Sequence, residues 1–482
     1  MISAHAKIAT NTTWFTLALV LQKIISFVYF TYLARSLGAT DLGSYVFALS
    51  FIAIFSIIID FGTNHFITRE IAKDSTQAQH IFSNILGFKI ITSFIAVIIV
   101  FMVINLLNYS PVVCRLVYIA SILMVIESLV LSSFALLRGF HNLRYESIGT
   151  IAVQLFTMIG GLIILQYSNN LSLLMLVLVC SNLINLIYVL LLLRYKINLH
   201  IKVLFDWKYW QSLIRVILPF ALAAGFTKIY GAFDQILLSK LASSEALGFY
   251  AVAYKLTFAL QFLPLALVAA LYPAMSTYYK IDKISLNKAF TRAVYYLLII
   301  TIPMTAVIFS LASEFINTLY TNVYTESIIP LQILILSLVF LFINFPLGSL
   351  LNAADKQTKN TKNIAWAMVI NILLNIFFIS NYQAIGAALA SLLSTIFLFF
   401  INSWSVKNLL HIDFKYLILV GVKTVFAGLI MSFSIYYLKS SLHWMLAGLV
   451  GSFIYLFLQF VFQTITKRDI IQIYQSFKKR EL

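Results

Sequence analysis

The chain has 482 residues, 62% of them hydrophobic and only 10% charged, with a formal net charge of +17. A soluble domain carries roughly 25% charged residues, so this composition excludes a soluble globular protein and indicates a polytopic membrane protein. Lipid supplies no hydrogen bonds to the backbone, so the spans are helices or a closed barrel; apolar runs of about twenty residues fit helices.

Helical spans are predicted near 12–33, 43–63, 83–107, 113–137, 147–167, 171–194, 214–239, 247–272, 290–312, 327–349, 363–380, 385–405, 415–438 and 442–465. The expected fold class is therefore all-α, with about fourteen transmembrane helices. The segment Met1–Asn11 is short and weakly basic, and the first apolar run leads into Lys23 and Arg35 without a small-residue cleavage site, so that run is read as a span. The connection Tyr195–Leu213 is expected to hold an amphipathic surface helix through Phe205, Trp207, Tyr209 and Trp210. Pro264, Pro303 and Pro346 fall within spans and are expected to bend them, as gating bends or static kinks. Cys114 and Cys180 lie in or beside apolar runs and read as buried small hydrophobes.

Of the 33 Lys and Arg residues, 24 fall on the side of the N-terminus, four (Arg35, Arg115, Lys240 and Lys439) on the opposite side, and five within spans. The positive-inside rule places both termini in the cytoplasm, in a cytoplasmic membrane. The basic balance is thus topological, and nucleic acid is not an expected partner.

The chain repeats itself at an offset of 205 residues. Lys23 aligns with Lys228, Arg35 with Lys240, Gly43 with Gly248, Tyr45 with Tyr250 and Ala48 with Ala253, without a gap. The expected domains are residues 1–200, a six-helix lobe; 201–405, its repeat behind a linker; and 406–482, two added helices and a basic tail.

Lys23 and Lys228 sit mid-span. Lys23 is about ten residues, hence about 15 Å, from either end, beyond the reach of snorkelling. A charge left in lipid costs at least about 2.5–3.5 kcal/mol. Thr12, Thr16 and Ser26 share the Lys23 face; Ala221, Ala224, Gly225, Gly231, Ala232 and Gln235 share that of Lys228. Either the lysines line a central cationic cavity, or Lys228 makes a structural ion pair behind a small-residue helix contact. Lys89 and Lys255, nearer the span ends, are further cavity candidates. Glu127 and Asp234 are candidates for ion coupling or for structural pairing, Asp234 with Lys255 or Lys240. Asp60 reads as a helix-end residue, and Lys423 belongs to the added helices. No catalytic grouping, nucleotide loop or metal-ligand spacing is present, so neither enzyme chemistry nor a cofactor is expected.

The stretch Leu33-Ala34-Arg35-Ser36-Leu37-Gly38-Ala39-Thr40-Asp41-Leu42-Gly43-Ser44-Tyr45, followed by Asp60-Phe61-Gly62, resembles the opening motif of the polysaccharide transporter family, the Wzx-type oligosaccharide flippases of the multidrug/oligosaccharidyl-lipid/polysaccharide exporter superfamily. Leu247 to Lys255 with Gly248 and Tyr250, Leu271 to Ser276, and Arg138-Gly139 are similar to other elements of that family. The resemblance implies a MATE-like core of two six-helix lobes. It implies transport of an undecaprenyl-diphosphate-linked oligosaccharide, such as an O-antigen repeat unit, to the outer leaflet, with membrane lipids, a polysaccharide polymerase and a chain-length regulator as partners. A cation-coupled exporter of drugs or other small molecules on the same fold is the first alternative, and a membrane glycan polymerase or ligase the second; the short outward loops speak against the latter.

The charge asymmetry yields a direct test. Reporter fusions after Lys196 and Leu482 should read cytoplasmic, and a fusion after Tyr167 external; the opposite signal at either terminus reverses the orientation.

Overall fold

The computed structural model describes the backbone of residues 2–407, 409–410 and 414–465, with side chains from Leu17 onward except Ala270 and Phe414. The basic tail from Lys467 and the polar side chains of Thr12 and Thr16 lie outside the described residues. Every regular element within them is helical: α1 (Ile2–Asp60), α2 (Thr63–Lys73), α3 (Ala78–Leu106), α4 (Pro111–Gly139), α5 (Leu143–Tyr167), α6 (Leu171–Lys196), α7 (Trp207–Leu241), α8 (Ser244–Ala259), α9 (Phe262–Ile281), α10 (Lys283–Ser310), α11 (Ala312–Tyr320), α12 (Ile328–Ala353), α13 (Gln357–Lys407), α14 (Phe414–Leu438) and α15 (Trp444–Val461).

Among the described residues, twelve helical segments are long and apolar enough to cross a membrane, with α8 and α9 together forming one of them. Two of the twelve are double. One crossing needs about twenty residues, whereas α1 has 59 and α13 has 51. The path of α1 breaks at Gly38, where φ is 75°, and that of α13 at Gln383, where φ is 50°. Fourteen crossings result, as the apolar runs imply. Gly38 suits its break because a residue without Cβ enters positive φ at little cost.

Three local expectations are corrected. The linker forms no separate surface helix: residues 198–206 are non-helical, with Leu204 N–H donating to Ser83 O at 3.1 Å, and Trp207, Tyr209 and Trp210 are instead the helical start of α7. Gly87 of α3 admits this strap, since a Cβ there would lie 2.0 Å from Leu204 O. Asp206 then caps α7, its side chain accepting from Tyr209 N–H at 3.0 Å. Pro264 does not bend a helix interior; it lies in the first turn of α9, just past the break at Leu260–Gln261, where a missing N–H costs least. Pro303 and Pro346 do lie inside α10 and α12. Cys180 is exposed and Cys114 half-buried, so neither is a fully buried core residue.

The chain packs as two compact units, residues 1–255 with 364–387, and 256–363 with 388–482. In the second, Met275, Phe290, Leu298, Leu347, Leu350 and Val406 form one apolar cluster, and Ile302, Met431, Ile435 and Tyr455 join α10 to α14 and α15. Three of its buried amides form a chain: Asn363 Nδ2 donates to Asn402 Oδ1 at 2.9 Å, and Asn402 Nδ2 to Asn344 Oδ1 at 3.1 Å. Such bonds hold helices together where lipid offers no competing partner.

The first unit contains the repeat contacts. A Cβ on Gly43 would lie 1.7 Å from Ser244 O, and one on Gly248 would lie 2.0 Å from Ala39 O. Adding 205 to Ala39 and Gly43 gives Ser244 and Gly248, so the crossing of α1 and α8 is reciprocal. A second reciprocal pair lies farther along. Ser50 donates to Gln235 at 2.5 Å, while the equivalent Lys255 has its ammonium 5.1 Å from the ring of Phe30, the equivalent of Gln235. Within each repeat the same tyrosine finds the same position: Tyr45 lies beside Tyr29, and Tyr250 donates to Asp234.

This crossing tolerates no side chain at either glycine. Gly43→Val and Gly248→Val should each destabilise the protein, by at least the roughly 1–3 kcal/mol typical of overpacking. Gly231→Ala, where a Cβ meets nothing within 4 Å, should be neutral or slightly stabilising. Thermal unfolding of the purified protein distinguishes the three; equal behaviour would remove the crossing as a constraint.

Candidate functional site

The site begins where α1 ends. Asp60 is its last residue, and Phe61 and Gly62 follow with φ of 37° and 76°. Gly62 is needed for shape as well as for its dihedral, because a Cβ there would lie 2.9 Å from Ala221 N and 3.0 Å from Ile217 O. The small face of α7 continues past this contact, and a Cβ on Gly225 would meet Ile57 at 3.4 Å, an ordinary van der Waals distance. Lys228, one turn beyond Gly225 on α7, reaches Asp60.

Asp60 binds two lysines. Lys228 Nζ donates to its Oδ2 at 3.0 Å, and Lys89 Nζ to its Oδ1 at 3.1 Å. Ser128 Oγ donates to the same Oδ1 at 2.8 Å. Lys89 also donates to Ser128 Oγ at 2.5 Å and Ser128 O at 3.1 Å. An ammonium has three N–H donors, so those of Lys89 are fully used. Lys228 donates to Ser56 Oγ at 2.7 Å besides Asp60, which leaves one donor without a protein acceptor among the described residues.

Burial separates the two lysines. The Lys89 side chain is 0% exposed and the Lys228 side chain 36%. Lys89 therefore does not line a cavity, contrary to its sequence reading; packing beneath Asp60 and Ser128 encloses it. Lys228 is paired with Asp60 and keeps about a third of its side chain exposed.

Three adjoining clefts run along this wall of the first unit. One, of about 190 Å³, is lined by Asp60, Asn64, His65 and Lys228. The next, of about 320 Å³, shares Asp60 and Lys228 with it and adds Ser56, Ser128 and Glu127. The third, of about 370 Å³, shares Glu127 and adds Gln22, Ser26, Phe30, Gln154 and Lys255. Lys255 donates to Ser26 Oγ at 3.0 Å. Lys23 is exposed, on the same α1 face as Ser26 and close enough to Lys255 for the two charges to repel. It has no ion-pair or hydrogen-bond partner among the described residues.

The other residues singled out from sequence are placed as follows. Glu127 is exposed to the clefts without a partner among the described residues. Asp234 is buried, accepts from Tyr250 and from Gln235 N–H at 2.8 Å, and pairs with neither Lys255 nor Lys240. Lys240 donates to Leu107 O at 2.6 Å and lies over the ring of Tyr109. Arg35 is exposed, Tyr45 is buried, and Arg138 pairs with Glu146 at 3.0 Å. Gly139 packs against Ile71, which a Cβ would approach to 2.8 Å. Lys423 donates to Phe462 O at 2.9 Å. Sequence reasoning missed Ser56 and Ser128, and the polar positions of α5. The α5 set was readable: Thr150, Gln154 and Thr157 recur at helical spacing on one face and all line the cleft of about 370 Å³.

Burial predicts unequal losses. Removing one partner of a buried ion pair costs about 3–5 kcal/mol, against about 0–1 kcal/mol for an exposed pair. Lys89→Met should therefore lower the unfolding temperature clearly more than Lys228→Gln. A larger loss from the Lys228 change would mean that Lys228 is the structural cation.

Residues 8–279, more than half of the chain, match the sequence profile of the family described as polysaccharide biosynthesis protein, and residues 219–379 match that of MatE. An uncharacterized membrane protein of Methanocaldococcus jannaschii is 22% identical over 453 residues, covering 87% of this chain and 89% of its own. Among solved structures, the lipid II flippase MurJ in an inward closed conformation aligns with a TM-score of 0.79 at 17% identity, covering 95% of this chain and 99% of that one. An inward-facing MATE multidrug resistance transporter of the MOP superfamily aligns at 0.67 and 14% identity, covering 81% and 98%. A MOP superfamily transporter from Pyrococcus furiosus aligns at 0.60 and 12% identity, covering 84% and 96%. The fold is thus MATE- and MurJ-like, and the chain is a multi-pass membrane protein that belongs to the family described as polysaccharide biosynthesis protein.

Proposed function

We propose that the protein carries an undecaprenyl-diphosphate-linked oligosaccharide from the inner to the outer leaflet of the cytoplasmic membrane by alternating access, with both termini in the cytoplasm. The observation that carries this reading is the charge balance around Asp60. Two ammonium groups share one carboxylate, and the more exposed of them keeps an unused donor facing a cleft. Lys255 and Lys23 add two further cations along the same wall, against Glu127 and a second carboxylate, Glu146, that is already paired with Arg138. A diphosphate supplies the complementary charge, which ammonium groups bind as points. Family membership supports the polysaccharide side of the reading, and the lipid II flippase shares the fold.

Export of small organic cations is the second reading, and Glu127 is what favours it, as an unpartnered carboxylate in the clefts. The surrounding lysines oppose it. Within the flippase reading Glu127 is the coupling candidate, because Asp234 is enclosed by Tyr250 and the α7 backbone.

Lys228→Gln and Lys23→Gln should insert and fold, but transport lipid-linked oligosaccharide about tenfold more slowly or worse, since a hydrogen bond to a charged group contributes about 1.5–3 kcal/mol. Arg at either position should rescue partly, as its planar fork differs from a compact ammonium. Transport in proteoliposomes measures both effects. Parental rates in both Gln variants would eliminate the cationic-cleft mechanism, and export of organic cations in place of the lipid would establish the second reading.

A further inference from the structure

The cleft of about 370 Å³ differs in chemistry from the one at Lys228. Gln22 of α1, Glu127 of α4 and Gln154 of α5 line it, and none of these side chains has a hydrogen-bond partner among the described residues. Asn182 of α6 joins them: its Nδ2 donates to Leu178 O at 3.0 Å, while its Oδ1 accepts no bond among the described residues. Four helices thus bring free amide and carboxylate groups to one space of about 370 Å³, within the range of small-molecule sites. Amides unpaired at membrane depth are costly unless a polar occupant satisfies them. Lys255 is the one cation that lines this space, and its ammonium is already bonded to Ser26 and set over Phe30.

Such a lining does not suit a phosphate, which calls for several free cations. It suits an uncharged ligand dense in hydroxyl groups. An amide both donates and accepts, as a hydroxyl does, and a carboxylate accepts from two hydroxyls at once. Half-buried Phe30 offers an apolar ring for the C–H face of a sugar.

We infer that this cleft is a saccharide subsite, in which Gln22, Glu127, Gln154 and Asn182 bind the sugar nearest the diphosphate while Lys228 holds the phosphate side. The inference rests on the lipid-diphosphate reading and adds where the glycan is recognised. It makes Gln22 and Gln154 specificity-determining residues, and gives Glu127 a hydroxyl-accepting role that needs no ion gradient.

The test compares two ligands on the purified full-length protein: the native lipid-linked glycan extracted from producing cells, and the lipid diphosphate left after its glycan is removed. The parent should bind the glycan-bearing lipid about tenfold more tightly. Gln154→Leu and Gln22→Leu should erase that difference and leave the affinity for the bare lipid diphosphate unchanged. Glu127→Gln, which keeps one acceptor, should reduce the difference only in part. Equal affinity of the parent for both ligands overturns the saccharide subsite while leaving the flippase reading intact. An equal loss on both ligands in the Leu variants also overturns it, because the amides would then support the fold or the phosphate site. A parent that binds neither ligand overturns the flippase reading and the subsite with it. Lys228→Gln supplies the converse control, with affinity lost for both ligands and the ratio between them retained.

Discussion

An ammonium group at membrane depth must find acceptors, and the wall of the first unit is organised around how it does so. Asp60 alone with Lys228 would make a neutral pair with little attraction for an anion. Lys89 changes the sum. Its three donors are spent on Asp60 and Ser128, and it is fully enclosed, so it contributes charge without contact. Formally the set retains one positive charge, displayed at Lys228, the member with exposed surface and a free donor. The low dielectric around it strengthens that residual charge toward anything that enters the cleft. A lysine that no ligand touches thus sets the field that a ligand meets.

The duplication explains the scaffold better than it explains the charges. Reciprocal contacts at Ala39, Gly43, Ser244 and Gly248 show that the two copies still pack by the same surfaces. Asp60 has no such counterpart: the residue 205 positions later is Leu265. Lys228 therefore inherits a carboxylate from the other copy, and Lys23 does not. Equivalence in sequence has become inequivalence in electrostatics, with one lysine held in place and the other free to meet a mobile anion. Conversely, Asp234 stands where the first copy has Tyr29, and its tyrosine partner is the equivalent of Tyr45. The carboxylate there continues a packing contact and is closed off from the clefts.

The legibility of the fold and the site follows from this distinction. Span number, the repeat and the glycine motif were readable because they depend on period and on local sterics: Gly38 and Gly62 mark backbone breaks wherever the chain goes next. The partner of Lys228 was not readable. Asp60 and Lys228 are 168 residues apart, and their meeting depends on the depth at which Gly62 lets α7 approach the end of α1. Lys89 looked accessible from its distance to the span end, yet packing against α4 encloses it. The linker was misread for a related reason: its aromatic residues pattern as a surface helix, but Gly87 offers the backbone of Leu204 a docking groove, and Trp210 finds a bond to Asn84 O at 3.0 Å.

In the lipid-diphosphate reading the cargo must also be released, and two of the carboxylates on this wall, Asp60 and Glu127, bear on that requirement. A doubly charged anion surrounded by bare lysines in a low-dielectric cleft would sit in a deep well, and a site that binds one state too tightly cannot cycle. Asp60 competes for Lys228 at 3.0 Å, so a bound phosphate displaces or shares an existing partner rather than filling a void. Glu127, common to the two larger clefts, repels an anion moving between them and so confines it to the Lys228 end. Sequence reasoning treated these acidic residues as helix end and coupling site. Within the lipid-diphosphate reading, their positions give them a simpler task, which is to keep the affinity of a cationic cleft low enough for turnover.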